Sequence, residues 1–197
     1  FQEIIPQGHG DEMSARAIEL IGGYVAEQHL FYVQIGYHEP HRAPSPAADS
    51  EQMMGFLSDY IQPDDSRGIT IPPWLRDEPA ARNELAELQG AIQYLDTSVG
   101  TLLNGIVSLG IADDTLVIFT TDHGLAFPRA KCSLYDPGIE VALMLRFPRR
   151  GWSGGRTIVP LVSNVDLFPT LLELAGCNVD ATVQGRSLTR LLDGEAR

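Results

Sequence analysis

The chain has 197 residues, 44% of them apolar and 20% charged, with a net charge of −12. That length supports one domain with a real hydrophobic core. The acidic balance argues against a nucleic-acid partner, which needs basic patches, and no apolar run is long enough to make a membrane a partner. Cys132 and Cys177 match no zinc or redox spacing. Of the fourteen basic side chains thirteen are arginine, and Lys131 is the only lysine.

In chain order, residues 11–29 carry helical spacing in Met13, Ala17, Leu20, Ile21 and Val25, with Asp11 as a cap. Residues 30–36 have strand composition and stop at Gly36. Prolines and histidines make residues 38–46 a loop, and a modest helix is expected over 50–61. Residues 79–109 form the longest expected helix, with Leu85, Leu88, Ile92, Leu95, Val99, Leu102, Ile106 and Leu109 on one stripe. Pro79 suits its first turn and Gly110 its end. Residues 115–120 read as a strand buried on both faces of a parallel sheet, and 141–146 as a second strand. Ser163 and Asp166 resemble a capping box before a helix ending near Gly176. Alternating helices and strands predict an α/β fold, a mostly parallel sheet with helices on both faces.

Ligands in such sheets sit beyond the carboxyl ends of the strands, where two polar clusters fall. The first is Gly36-Tyr-His-Glu-Pro-His41-Arg42; the second is Thr121-Asp-His-Gly124, followed by Arg129-Ala-Lys131. Asp122 and His123 can face a cation, although two ligands fall well short of the six to eight oxygens, roughly, that calcium takes. His38 and His41 suit general acid work near neutral pH. Lys131 can neutralise anionic oxygens, and Arg42 and Arg129 are candidate anion contacts. The bland alternatives are a solvated turn for Asp122 and His123, and surface histidines in a proline-rich loop.

Five segments in order carry a resemblance: the Phe31-to-Arg42 run, Tyr94-Leu-Asp-Thr-Ser-Val-Gly100, Asp114-to-Gly124, Lys131-to-Val141 and Val165-to-Gly176. Together they resemble the sulfatase family of the alkaline-phosphatase superfamily over nearly the whole chain. His-Glu-Pro-His-Arg, Pro72-Pro-Trp-Leu-Arg-Asp-Glu-Pro79 and Phe127-Pro-Arg-Ala-Lys131 look most like its heparan N-sulfatase branch. The resemblance implies an alkaline-phosphatase-like fold, here incomplete. It implies that Asp122 and His123 bind a divalent cation, calcium first, with magnesium, manganese or zinc as alternatives. His41 would protonate or steady the leaving atom, Lys131 would be catalytic and grip sulfate oxygens, and Arg42 would assist in substrate binding. The implied partner is a small sulfated substrate or sulfated glycan, attacked by a formylglycine nucleophile made in a Cys/Ser-x-Pro-x-Arg motif.

Neither cysteine lies in that motif, and Asp64-Asp65 and Asp113-Asp114 lie in expected loops. The chain is therefore expected to be residues 1–197 of a partial catalytic domain, lacking the nucleophile segment and the small C-terminal subdomain. Alone it should lack turnover. His123 stands where many members carry asparagine, and imidazole suits zinc or manganese better than calcium. The rival readings are a phosphodiesterase or phosphonate hydrolase of the same superfamily, and a catalytically silent glycan-binding homologue.

Overall fold

The structure, a computed structural model, describes residues 8–44, 54–56 and 58–195. It divides into two compact units, Phe1–Ile111 with Gly124–Ile139, and Ala112–His123 with Glu140–Arg197.

In the first unit, α1 (Gly10–Ala26) begins with a reciprocal cap in which His9 N donates to Glu12 Oε2 at 3.2 Å. The long helix α2 (Pro79–Ser108) opens with Pro79 in its first turn, as the sequence suggests. Its buried stripe is Leu85, Leu88, Ala91, Leu95, Ser98 and Ile106, whereas Ile92 is 43% exposed. At 3.6 residues per turn the stripe drifts, so the small Ala91 takes the core position expected for Ile92. The core of this unit joins Leu85, Leu88 and Ala91 to Phe56, Ile61 and Phe127. Each large side chain buried there is worth about 1.5–3 kcal/mol before entropy is charged.

Two expected elements in this unit differ. In residues 30–36 exposure alternates from Phe31 to Gly36, yet they join no ladder among the described residues. The period of a strand is present without a partner. Of the helix expected over 50–61, residues 50–53 and 57 lie outside the described residues, and the rest is not helical. Met54–Gly55 (β2) pairs antiparallel with Ala43–Pro44 (β1), and a bridge joins Ser58 to Ile61. Phe56 and Ile61 both enter the core five positions apart, a spacing no single helix face provides, and Gly55, Ser58 and Asp59 are weak helix formers.

In the second unit, β3 (Val117–Thr120) pairs with β4 (Leu143–Arg146), matching Val117 to Arg146 and Thr120 to Leu143. This ladder is antiparallel, so the expected parallel pairing is not formed among the described residues. Leu143 and Leu145 pack on the core while Met144 between them is 60% exposed. That one-sided alternation belongs to an antiparallel pair. Trp152, Leu188, Leu191 and Leu192 form the centre of this unit. Its capping box is present: Ser163 N donates to Asp166 Oδ2 at 3.1 Å ahead of α4 (Leu167–Leu174). Asp166 Oδ1 also accepts from Arg186 N at 2.8 Å, tying the later loop to the helix start. The short α3 (Asp136–Ile139) belongs to the first unit and α5 (Thr189–Leu192) to the second. Among the described residues no helix is long and apolar enough to cross a membrane.

Candidate functional site

The loop after residues 30–36 carries residues of opposite fate. Tyr37 and Glu39 turn inward, and Glu39 is only 4% exposed, while His41 is exposed. Tyr37 and Ser14 share a hydroxyl pair at 2.7 Å, and Tyr60 donates to Glu39 Oε1 at 3.0 Å. The rings of His38 and His41 lie 5.4 Å apart, tilted by 43°.

Arg42 is caged. Its guanidinium lies 4.4 Å from the Phe56 ring centre and 5.3 Å from that of Phe127. It donates to Ala126 O at 2.8 Å, Met54 O at 3.4 Å and Glu84 Oε2 at 2.5 Å. These contacts commit the fork to holding the loop against α2, which leaves little of it for an anion.

Lys131 sits in a turn stiffened by close backbone packing. Its N–H donates to Leu125 O at 2.9 Å, and buried Ala130 precedes it. Arg129 and Cys132 both adopt left-handed backbone, with φ of 63° and 64°. Such conformations cost energy in residues other than glycine, and concentrate where a side chain must be aimed. Gly124 lets the turn close: a Cβ there would lie 1.8 Å from Pro137 O, and its N–H donates to Gly138 O at 3.0 Å. The turn brings Lys131 Nζ to 2.9 Å from His41 Nε2. His41 Nδ1 lies 2.7 Å from Arg42 O, and a carbonyl only accepts, so Nδ1 carries the proton. In the neutral ring Nε2 is then an acceptor, matched to the ammonium as donor. Arg129 is exposed, its guanidinium 5.5 Å from the centre of the Tyr135 ring.

Asp122 and His123 belong to the second unit, just past the end of β3. Asp122 Oδ1 lies 3.5 Å from His123 Nε2; the aspartate side chain is 87% exposed and the imidazole 33%. The backbone before them is fixed: Ala142 N donates to Thr121 Oγ1 at 3.1 Å, and Asn164 Nδ2 to Thr121 O at 3.0 Å. One carboxylate and one imidazole fit a divalent cation in kind, but no group of three or more metal-binding side chains gathers among the described residues.

The structure thus brings His38, His41 and Lys131 together, sets Asp122 beside His123, and engages Arg42 in its own cage. Glu39 and Glu84 were not singled out from sequence. Each was hidden because an acidic residue in a loop or on a helix reads as solvated.

Comparison with known proteins places these features in a family. The family described as Sulfatase matches residues 5–177. Human N-sulphoglucosamine sulphohydrolase is 31% identical over 154 residues, covering 73% of this chain and 31% of the human protein. The chain therefore spans about a third of that relative's length. Among solved structures, BT33494S-sulf of Bacteroides thetaiotaomicron superposes over 93% of this chain and 39% of its own, with TM-score 0.71 and 24% identity. Phosphonate monoester hydrolase SpPMH of Silicibacter pomeroyi is 32% identical, with TM-score 0.55 over 64% of this chain and 25% of its own.

Proposed function

We propose, since this chain belongs to the sulfatase family and has an alkaline-phosphatase-like fold, that its protein hydrolyses a sulfuric ester or sulfamate on an amino sugar. The single observation that carries this reading is the pairing of Lys131 with His41, an ammonium and an imidazole brought together from the two chain segments of the first unit.

The roles follow from the chemistry of each group. Lys131 neutralises sulfate oxygens as negative charge shifts towards the leaving atom. The imidazole pair His38 and His41 supplies the acid. A ring that takes up a second proton from solvent gives it, as imidazolium, to the leaving oxygen or nitrogen when its bond to sulfur breaks. It then returns to the neutral form that in His41 accepts from Lys131. Arg42 anchors the loop that carries this pair, and its role is structural. Asp122 and His123 supply two ligands to a divalent cation, calcium first. Calcium takes about six to eight oxygen ligands, so further donors would have to complete the site. When bound, such an ion withdraws charge from sulfate oxygens as a Lewis acid.

No Cys/Ser-x-Pro-x-Arg motif occurs in these 197 residues, so the formylglycine is carried by another part of the protein. Both compact units belong to one catalytic domain in this reading. Residues 30–36 join its parallel sheet by pairing with residues other than those described. The similarity to a phosphonate monoester hydrolase favours a second reading, phosphoryl or phosphonyl transfer in place of sulfuryl transfer. The deciding test is to express the complete protein with a formylglycine-generating enzyme. N-sulfoglucosamine and aryl sulfate are then assayed beside an aryl phosphonate and an aryl phosphate. Faster turnover of sulfate or sulfamate is expected; faster turnover of the phosphorus esters would overturn the reading.

A further inference from the structure

We propose that Glu39 is a positioning residue, which fixes the two imidazoles through the backbone of the loop they share. The proposal rests on the reading of His38 and His41 as the proton donors.

Glu39 is the buried carboxyl between them, 4% exposed. One oxygen accepts from Tyr60 at 3.0 Å; the other is buried with no hydrogen-bond partner among the described residues. An unsatisfied buried carboxylate oxygen costs stability, so its retention calls for a use. Its surroundings show how the charge is tolerated. A Cβ added to Gly10, the first residue of α1, would lie 3.3 Å from Glu39 Oε2 and 2.9 Å from Ser98 Oγ. The missing side chain lets the positive end of a 17-residue helix approach the carboxylate. Around it, Ser14 Oγ donates to Ser98 O at 2.7 Å and pairs with Tyr37, so α1, α2 and the loop share one polar layer.

The loop is therefore pinned twice, with His41 between the pins. Glu39 ties it to Tyr60 and lies against Gly10 at the start of α1, and Arg42 ties it to Phe56, Phe127 and Glu84. Two anchors of opposite charge three residues apart leave the intervening backbone little freedom. Losing one lets the imidazoles swing relative to Lys131 while the aromatic cage keeps the fold.

Leaving-group dependence separates positioning from simple destabilisation. A well-placed acid matters for an amine or sugar oxygen, which departs poorly unprotonated, and matters little for a nitrocatechol. In the complete protein, kcat would be measured for N-sulfoglucosamine and 4-nitrocatechol sulfate in wild type, Glu39→Ala, Glu39→Asp, Glu39→Gln and the double variant His38→Ala/His41→Ala. Glu39→Ala should lose about 10²-fold on the amino sugar, with a far smaller loss on the aryl ester, copying the double variant. Glu39→Asp should show the same bias more weakly, and it carries the test if the alanine variant does not fold. Glu39→Gln, which keeps an acceptor for Tyr60, should recover most of the activity. Equal losses on both substrates in the Glu39 variants, beside a biased double variant, would overturn the positioning role alone. An unbiased double variant would instead overturn the imidazoles as acid.

Discussion

Lys131 Nζ lies 2.9 Å from His41 Nε2 although 90 residues separate them in sequence. In the neutral ring Nε2 accepts from the ammonium, so each side chain orients the other. Replacing Lys131 with Ala should lower kcat/KM on sulfated substrate by about 10²–10³, the usual cost of losing one preorganised charge-stabilising donor. The fold should stand, because Lys131 lies at the rim of its turn and buried Ala130 does the packing. Steady-state kinetics with circular dichroism checks both halves, and unaltered kinetics would remove Lys131 from the site.

Arg42 leads to the opposite expectation. Its side chain is 19% exposed, and the guanidinium is stacked by two phenylalanines and paired with Glu84. Arg42→Ala leaves Glu84 without its partner and opens the stack, a loss of order 2–4 kcal/mol. Arg42→Lys should recover only part, because an ammonium cannot span Ala126 O and Glu84 while lying flat between rings. Chemical denaturation of the two variants, with Glu84→Gln to close a double-mutant cycle, measures the coupling. A cycle showing no coupling would mean that the cage is not holding the loop.

For Asp122 and His123 the readout is metal content. Asp122→Ala should reduce the bound divalent cation per protein, measured by elemental analysis after exhaustive dialysis. The carboxylate is the harder donor of the pair, and oxygen ligands set calcium affinity. His123→Asn should move preference towards calcium over zinc, since it replaces an imidazole with an amide oxygen. Full metal occupancy in Asp122→Ala would exclude that residue as a ligand.

The sequence exposes the long-period features of this fold more readily than its short ones. α2 was legible because its apolar stripe, Leu85 to Ile106, runs for about six turns and Pro79 marks the start of the helix. The capping box at Ser163 was legible because its two partners are three residues apart. The segment 54–61 was not: its apolar residues suit either period, and the arbiter is a core into which Phe56 and Ile61 both turn. Strand direction was equally hidden, since the apolar run in β3 records burial without naming a partner. At the site, His41 and Lys131 stood out by residue type and Lys131 by its uniqueness. Glu39 and the Arg42 cage depend on contacts with residues 12 to 85 positions away, a range on which local pattern is silent.

The pair Tyr94 and Asp11 gives a prediction about pH. Tyr94 Oη donates to Asp11 Oδ1 at 2.6 Å, joining α2 to the start of α1. Burial first, and this bond second, push the Tyr94 phenol up to about 12, while the same bond draws the Asp11 carboxyl below its ordinary value. The signs run in opposite directions. A phenol raised in the folded state lends stability that is complete below the ordinary phenol range near 10 and disappears as pH rises towards about 12. A carboxyl lowered in the folded state lends stability that is complete above its ordinary value of 3.8 and disappears as pH falls through the depressed value. The contact should therefore be fully effective from weakly acidic to mildly alkaline pH and fail at both extremes. Absorbance titration at about 295 nm should show a late phenol near pH 12 that is missing in Tyr94→Phe. In Asp11→Asn that phenol should ionise earlier, though still late, because burial remains. A wild-type protein whose phenols all ionise together near pH 10 would show that the bond does not hold the two helices in solution.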